Sequence, residues 1–232
     1  MYEVNEMPAQ VDRELLDLLL RCRTESIGHY REWGNVHGSI AAVMPERRVA
    51  GTAVTLAVPG NDSGMVPYAI SMLRPGDFLV IDRLGDNHNS CWGGGTTLSA
   101  KLAGAVGVVI DGCSTGSSKF REFDLPAWIR GYSPITCHPY GLGGAINVPV
   151  CVGGAAILPG YAILADESGV IALPPEDVRY LAEGAIKRQD GYPAMHARLR
   201  AGEKIAEISG LRPKIAKAAA AEDEARGRRK RG

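Results

Sequence analysis

The sequence predicts an α/β fold: one domain with a mixed, mostly parallel sheet and helices on its faces. Three observations carry that prediction. The runs Phe78–Ile81 and Val106–Ile110 are apolar without polar alternation, as strands covered on both faces are. Patterns of helix and strand period alternate along the first half of the chain. The chain holds 29 Gly and only 3 Phe, which indicates many turns and close backbone packing around small side chains.

Each element follows from local signals. In "AQVDRELLDLLLRCRTESIGHY", Leu15, Leu16, Leu19, Leu20 and Cys22 recur at helical spacing between charged residues, predicting an amphipathic helix. Pro45 breaks the chain, and Ala50–Val58 reads as a buried strand rich in β-branched residues. "PGND" is a loop. "SGMVPYAISMLR" reads as a helix that tolerates Pro67 in its first turn. Phe78–Ile81 is a strand, Thr97–Ala105 a helix and Val106–Ile110 a strand. "FREFDLPAWIRGYSP" is a short helix and loop. "VPVCVGGAAILPGYAILADESGVIALP" holds several short strands joined by Gly and Pro turns. Pro174–Arg200 is helical with a break at Asp190-Gly191. The expected organisation is one domain over residues 1–213, followed by a solvated, basic tail over 214–232.

Composition removes several function classes. The chain has 232 residues, 45% hydrophobic and 22% charged, with a formal net charge of zero. No global field draws it to nucleic acid or membrane. The Arg228, Arg229, Lys230, Arg231 run reads as a solubilising end rather than a nucleic-acid contact. The 5 cysteines are scattered and form no CxxC pair, which argues against a zinc knuckle and a disulfide framework. The opening residues are acidic where a signal peptide needs a basic start, and no apolar run approaches a membrane span; a cytoplasmic protein is expected.

The chemistry concentrates in "IDRLGDNHNSCWGGGTT". Gly93-Gly94-Gly95-Thr96-Thr97 leads into a helix, whose first amides are unpaired and carry a partial positive charge. Glycines let a carboxylate or phosphate approach them; a tight turn with a Thr cap is the plainer alternative. The pattern matches neither GxxxxGK[ST] nor GxGxxG, so a nucleotide loop is not supported. In the loop before it, His88 is a candidate general acid, general base or metal ligand and Asp86 a candidate catalytic carboxylate, the alternative being a solvated polar loop. Asp111 ends a strand and is expected to accept backbone N–H bonds. Cys113, Ser114, Thr115 and Gly116 then form a second turn with no ionisable carboxylate or cation.

The segments "VAGTAVTLAVPGND", "RPGDFLVID", "WGG", "AGAVGVVIDG", "LPAWIRG" and "VPVCVGGAAILPGYAILADESGVIALP", in this order, resemble the RraA-like family over residues Arg47–Pro175. That family includes regulators of ribonuclease E activity and class II pyruvate aldolases acting on 4-hydroxy-4-methyl-2-oxoglutarate. The resemblance implies a three-layer α/β/α sandwich of the swivelling-domain type and a homo-oligomer, trimer or hexamer, with sites between subunits. It implies that the amides of Gly93, Gly94, Gly95 and Thr96 hold the carboxylate of a small 2-oxoacid. It also implies an Arg-Asp pair after the strand's Asp-Gly, the Arg polarising substrate and the Asp holding Mg2+ or Mn2+. Laid without gaps, Asp111-Gly112, Pro126 and Arg130-Gly131 are kept, but the Arg position is Thr115 and the Asp position is Gly116. Gly94 stands where the family often has Glu, and Tyr161 where an Asp follows Pro-Gly; Asp166 remains. Losing both groups removes several kcal/mol of transition-state charge stabilisation. Two readings stand. One is a lyase of the aldolase or 2-oxoacid decarboxylase type, with Thr115, His88 and Asp86 as its reorganised site. The other is a non-catalytic binding or regulatory protein on the same scaffold.

Overall fold

The computed structural model describes residues 1–229. In chain order the elements are β1 (Tyr2–Val4), α1 (Arg13–Leu20), α2 (Thr24–Ile27), β2 (Ala41–Ala42), β3 (Val49–Ala57), α3 (Met65–Met72), β4 (Asp77–Asp82), β5 (Ser90–Trp92), α4 (Gly94–Leu102), β6 (Gly107–Ser114), α5 (Ser118–Glu122) and β7 (Ala127–Tyr132). They continue with β8 (Gly144–Ile146), β9 (Val150–Val152), β10 (Ala155–Ile157), β11 (Ala162–Asp166), β12 (Gly169–Leu173), α6 (Pro175–Asp190), α7 (Tyr192–Arg200), α8 (Ile205–Ile208) and α9 (Leu211–Arg229). The expected α/β fold with a mixed sheet is present. Lys230 and Arg231 of the basic end lie outside the described residues. Among the described residues no helix is long and apolar enough to cross a membrane.

The sheet is built on four parallel neighbours, β3-β4-β6-β7, flanked by antiparallel pairings of β3 with β8 and β11, and of β2 with β7. The parallel strands advance in one direction. Right-handed crossovers therefore place α3, α4 and α5 on the same face. Alternation along each strand then divides the core. Leu56, Leu79, Ile81, Val108 and Ile110 meet Val66, Ile70, Ala100 and Phe120 of those helices. Ala53, Phe78, Val80, Val109 and Trp128 point the other way.

A helical layer on the second face requires the strand order to reverse, and it does not. That face is instead covered by the β9-β10 hairpin, through Val150, Val152, Ala155 and Ile157, and by Val36 and Ile40. The Gly/Pro-punctuated run of short strands supplies this layer. A third cluster packs α1, α2 and α6 on β11-β12 and the start of β3, through Leu19, Ile27, Leu164, Leu173 and Leu181.

Several boundaries differ from expectation for identifiable reasons. The first helix splits at Cys22-Arg23, because the buried Asp166 carboxylate takes the Thr24 amide (3.0 Å) and hydroxyl (2.6 Å) and turns the chain. β6 runs on to Ser114, so Asp111 lies within the strand rather than at its end, and Cys113 and Ser114 lie on the strand and not in a turn. β7 occupies residues read as loop, its Trp128 and Ile129 aligned with Val109 and Ile110. α4 begins at Gly94, so two of the glycines are inside its first turn.

The chain divides into two compact units, Met1–Ile186 and the segment from Lys187 onward. Residue 213, the expected end of the domain, lies within α9. The second unit is helical, with local ion pairs such as Arg198–Glu203 at 2.7 Å.

The carboxyl ends of the parallel strands are tied together from beneath. Arg83 follows β4 and is fully buried. Its guanidinium donates to the carbonyls of Asp62 and Gly60, to Asp86 Oδ2 (2.7 Å) and to Cys137 Sγ. Asp62, also fully buried, accepts the amides of Gly64 and Leu142, each at 2.6 Å. Burial alone raises both carboxyl pKa values, but the backbone amides around each, together with Arg83, reverse this and hold both below the ordinary range. A depressed folded-state pKa contributes stability above the unfolded value of about 3.9, and that stability is lost as pH falls through the folded value. Urea midpoints are therefore expected to fall as the pH is lowered below about 4. Asp62→Asn is expected to unfold at lower urea at neutral pH and to show a shallower acid-side fall; parallel curves for parent and variant would contradict this assignment.

Candidate functional site

The site elements meet at the carboxyl ends of β4, β6 and β7, because β5 takes over where β4 stops. β4 pairs with β6 up to Asp82↔Asp111, and β5 then pairs parallel with the last residues of β6, Ser90↔Cys113 and Trp92↔Ser114. The Thr115 amide donates to Trp92 O at 3.0 Å. This continuation of the ladder sets Thr115 directly beside Gly93: a Cβ on Gly93 would stand 3.4 Å from Thr115 Oγ1. Sequence analysis names both turns, and the structure brings them together.

The glycine turn is rigidly held. Trp92 is buried, stacks on Phe120 at 6.5 Å, and donates its indole N–H to Thr97 Oγ1 at 2.9 Å. Thr96 Oγ1 accepts the Gly93 amide (2.9 Å) and, like Thr97 Oγ1, donates to Gly93 O (2.8 Å each). The Gly93 N–H is thus engaged internally. The amides with no intrahelical acceptor belong to Gly94, Gly95 and Thr96, at the positive end of α4. Nothing lies within 4 Å of the Cβ positions of Gly95 and Gly116, so this end is open.

Asp86 and His88 do not join the turn as an acid–base pair. Asp86 Oδ1 accepts the amides of His88 (2.8 Å) and Asn89 (3.2 Å), while Oδ2 accepts from Arg83 and from Asn89 Nδ2. The carboxylate is turned into its own loop and fixed as an anion there. The His88 side chain is exposed. Asp111 is engaged as well: it accepts from Arg130 Nε and from the Gly153 amide (2.6 Å), which docks the β9-β10 hairpin. Burial pushes the thiol of Cys22 up to about 11 and that of Cys91 up to about 12, so neither offers a thiolate at neutral pH.

Lys119, on α5, is the group sequence reasoning missed. Its stem lies against Gly94, where an added Cβ would meet Lys119 Cγ at 3.1 Å. Its ammonium pairs with Glu122 Oε2 at 2.6 Å. The signal was the charge three residues after Gly116, obscured because α5 was read as starting at Phe120.

The residues present do not fit a divalent ion. Among the described residues no group of three or more His, Cys, Asp or Glu is arranged to hold one. Thr115, Gly116, Ser117 and Ser118 offer only hydroxyl and carbonyl oxygens, Glu122 is paired with Lys119, and both Asp111 oxygens are engaged. The cavities lined by Arg31–Asn35 with Gly154–Ala156 and by Arg47–Val49 with Lys101 share no residue with the turn.

The profile of the RraA-like family, described as Aldolase/RraA, matches residues 16–172. The chain is 29% identical over 168 residues to an uncharacterized protein of Methanocaldococcus jannaschii, covering 72% of this chain and 80% of that one. It is 31% identical over 134 residues to the 4-hydroxy-4-methyl-2-oxoglutarate aldolase of Thermus thermophilus, covering 57% and 80%. Among solved structures it is similar to Streptomyces coelicolor RraAS2, described as an unusual member of the RNase ES inhibitor RraA family, with a TM-score of 0.71, 26% identity and coverage of 83% and 98%. It is also similar to the RNA-processing inhibitor RraA of Thermus thermophilus, with a TM-score of 0.60, 27% identity and coverage of 66% and 92%. With the family profile spanning most of the chain and the fold shared with these structures, this protein belongs to the RraA-like family.

Proposed function

We propose that this chain binds a small 2-oxoacid through its carboxylate at the first turn of α4, and that its own residues support binding better than metal-assisted carbon–carbon cleavage. The observation that carries this reading is the pairing of three helix-start amides, those of Gly94, Gly95 and Thr96, with open space at Gly116. The amides and the helix end attract a carboxylate. The Thr115 hydroxyl, next to Gly93, donates to a second ligand oxygen. Lys119 adds a cation once its ammonium leaves Glu122. No group stands where an acidic metal ligand would stabilise an enolate.

Cleavage is the second reading. It is favoured by the aldolase name of the Thermus thermophilus relative, and it requires charged groups from another copy of the chain. The assay is pyruvate release from 4-hydroxy-4-methyl-2-oxoglutarate with added Mg2+ or Mn2+. The expected result is turnover near background for the unmodified protein. Thr115→Arg combined with Gly116→Asp should raise metal-dependent turnover by about 100-fold, the scale of a restored charge-stabilising group. Robust metal-dependent cleavage by the unmodified chain would overturn the binding reading and favour the lyase.

The same reading places the open turn at a boundary between copies, in a trimer or hexamer. Leu98 and Leu102 lie four residues apart on α4 and are exposed, as are Tyr132 at the end of β7 and Ile135 after it. Exposed apolar groups of this kind suit a contact between copies, and ring assemblies repeat one such heterologous contact per subunit. Light scattering at micromolar concentration should give three or six times the chain mass; a monomer mass would contradict the shared site.

A further inference from the structure

At the opposite end of the parallel strands, where β3, β6 and β7 begin, a cavity of about 390 Å3 is lined by Arg47, Arg48, Lys101 and Asp124, with Val106 and Pro126 as its apolar wall. Arg47 lies 2.5 Å from Asp124 Oδ1. Lys101 Nζ donates to the Asp124 carbonyl at 2.6 Å and reaches Oδ2 at 3.5 Å. Both cations therefore converge on a single carboxylate. Arg48 is 3.6 Å from Asp166 Oδ2, a long pair to a buried group that already accepts shorter bonds from Thr24. Its charge is only partly answered.

The lining thus carries Arg47, Arg48 and Lys101 against the single carboxylate of Asp124, with Asp166 answering part of the Arg48 charge from outside it. A concave surface with an excess of one sign and a low-dielectric wall concentrates its field on a counter-ion. Counting Asp166, three cations meet two carboxylates; once released by Asp124, Arg47 and Lys101 together match a dianion better than a carboxylate. Two guanidinium forks present planar donor pairs suited to tetrahedral phosphate oxygens. The volume falls in the range of small-ligand pockets.

From this arrangement we infer that the cavity is a second ligand site, one that takes a phosphate monoester. The phosphate sits among Arg47, Arg48 and Lys101, and the organic body rests on Val106 and Pro126. Asp124 is the internal competitor: it holds Arg47 and Lys101 while the site is empty and yields them to the phosphate. Asp124 has a φ of 51°, a region that Asn adopts as readily as Asp, so Asp124→Asn removes the competing charge while preserving the turn. The inference does not depend on the glycine turn, with which the cavity shares no residue.

The test is calorimetric titration of the full chain with adenosine monophosphate and with inorganic phosphate, folding of each variant being checked by thermal melting. Adenosine monophosphate should bind once per chain, more tightly than inorganic phosphate because of the apolar wall, and more weakly as salt is raised. Arg47→Met with Lys101→Met should weaken it at least about tenfold. Asp124→Asn should tighten it, and oxalate binding at the α4 turn should be unchanged in all of these variants. The inference is overturned if adenosine monophosphate gives no saturable heat, if the double variant binds it as the parent does, or if Asp124→Asn weakens it. Binding of a short single-stranded RNA without any binding of adenosine monophosphate would also overturn it, in favour of an extended polyanion surface.

Discussion

A guanidinium with no access to water lies beneath the carboxyl ends of the parallel strands. Arg83 holds the Gly60–Asp62 loop by two carbonyls, its own loop by Asp86, and the Cys137 segment by a sulfur contact. It also fills the space under Gly112, where a Cβ would approach Arg83 Cγ to 2.6 Å. The Arg83 Nε has no hydrogen-bond partner, so the site is held at some expense in desolvation. Removing a partner of such a buried pair costs about 3–5 kcal/mol, because the remaining charge stays desolvated. With these loops fixed, β5 can run on from β4 along β6, and only that continuation brings the glycine turn beside Thr115. The candidate site is thus a consequence of a buried charge network some residues away from it.

Much of this was legible in the sequence. Apolar runs without alternation announced β4 and β6, and the glycines before Thr96 announced a helix start. The family resemblance, which the family profile bears out, ordered these segments along the chain. What stayed hidden was long-range in origin. β7 looked like loop because Pro126 and Gly131 bracket it, yet the parallel ladder from Val109 and Ile110 overrides those signals. The hairpin over the second face stayed hidden because what covers a face depends on strand order, and strand order is not written in local periodicity. Asp86 and His88 looked like acid–base chemistry from residue type alone. Whether a carboxylate is free or capping its own loop depends on where Arg83 and the Asn89 amide point, which composition does not carry.

Thr115 and Gly116 set the functional balance. A helix start supplies direction and partial charge for a carboxylate, but it does not supply an ion to carry developing negative charge on an enolate. The chain retains the first capacity in α4 and lacks groups for the second among the side chains around Gly116. Lys119 restores a single positive charge on the same rim, a group that can hold a ligand without coordinating a metal. In the proposed reading, the chain keeps a carboxylate cradle at the start of α4 and lacks the acidic metal ligand that the family resemblance implies.

The central claim is that small carboxylates are held by the first amides of α4. Amide-resolved NMR titration with oxalate tests it most directly. The account predicts saturable shifts at the Gly94, Gly95 and Thr96 amides, with Thr115 following and Gly93 changing least, since its N–H already bonds Thr96 Oγ1. Shifts confined to other residues, or none at the α4 start while oxalate binds, would contradict it.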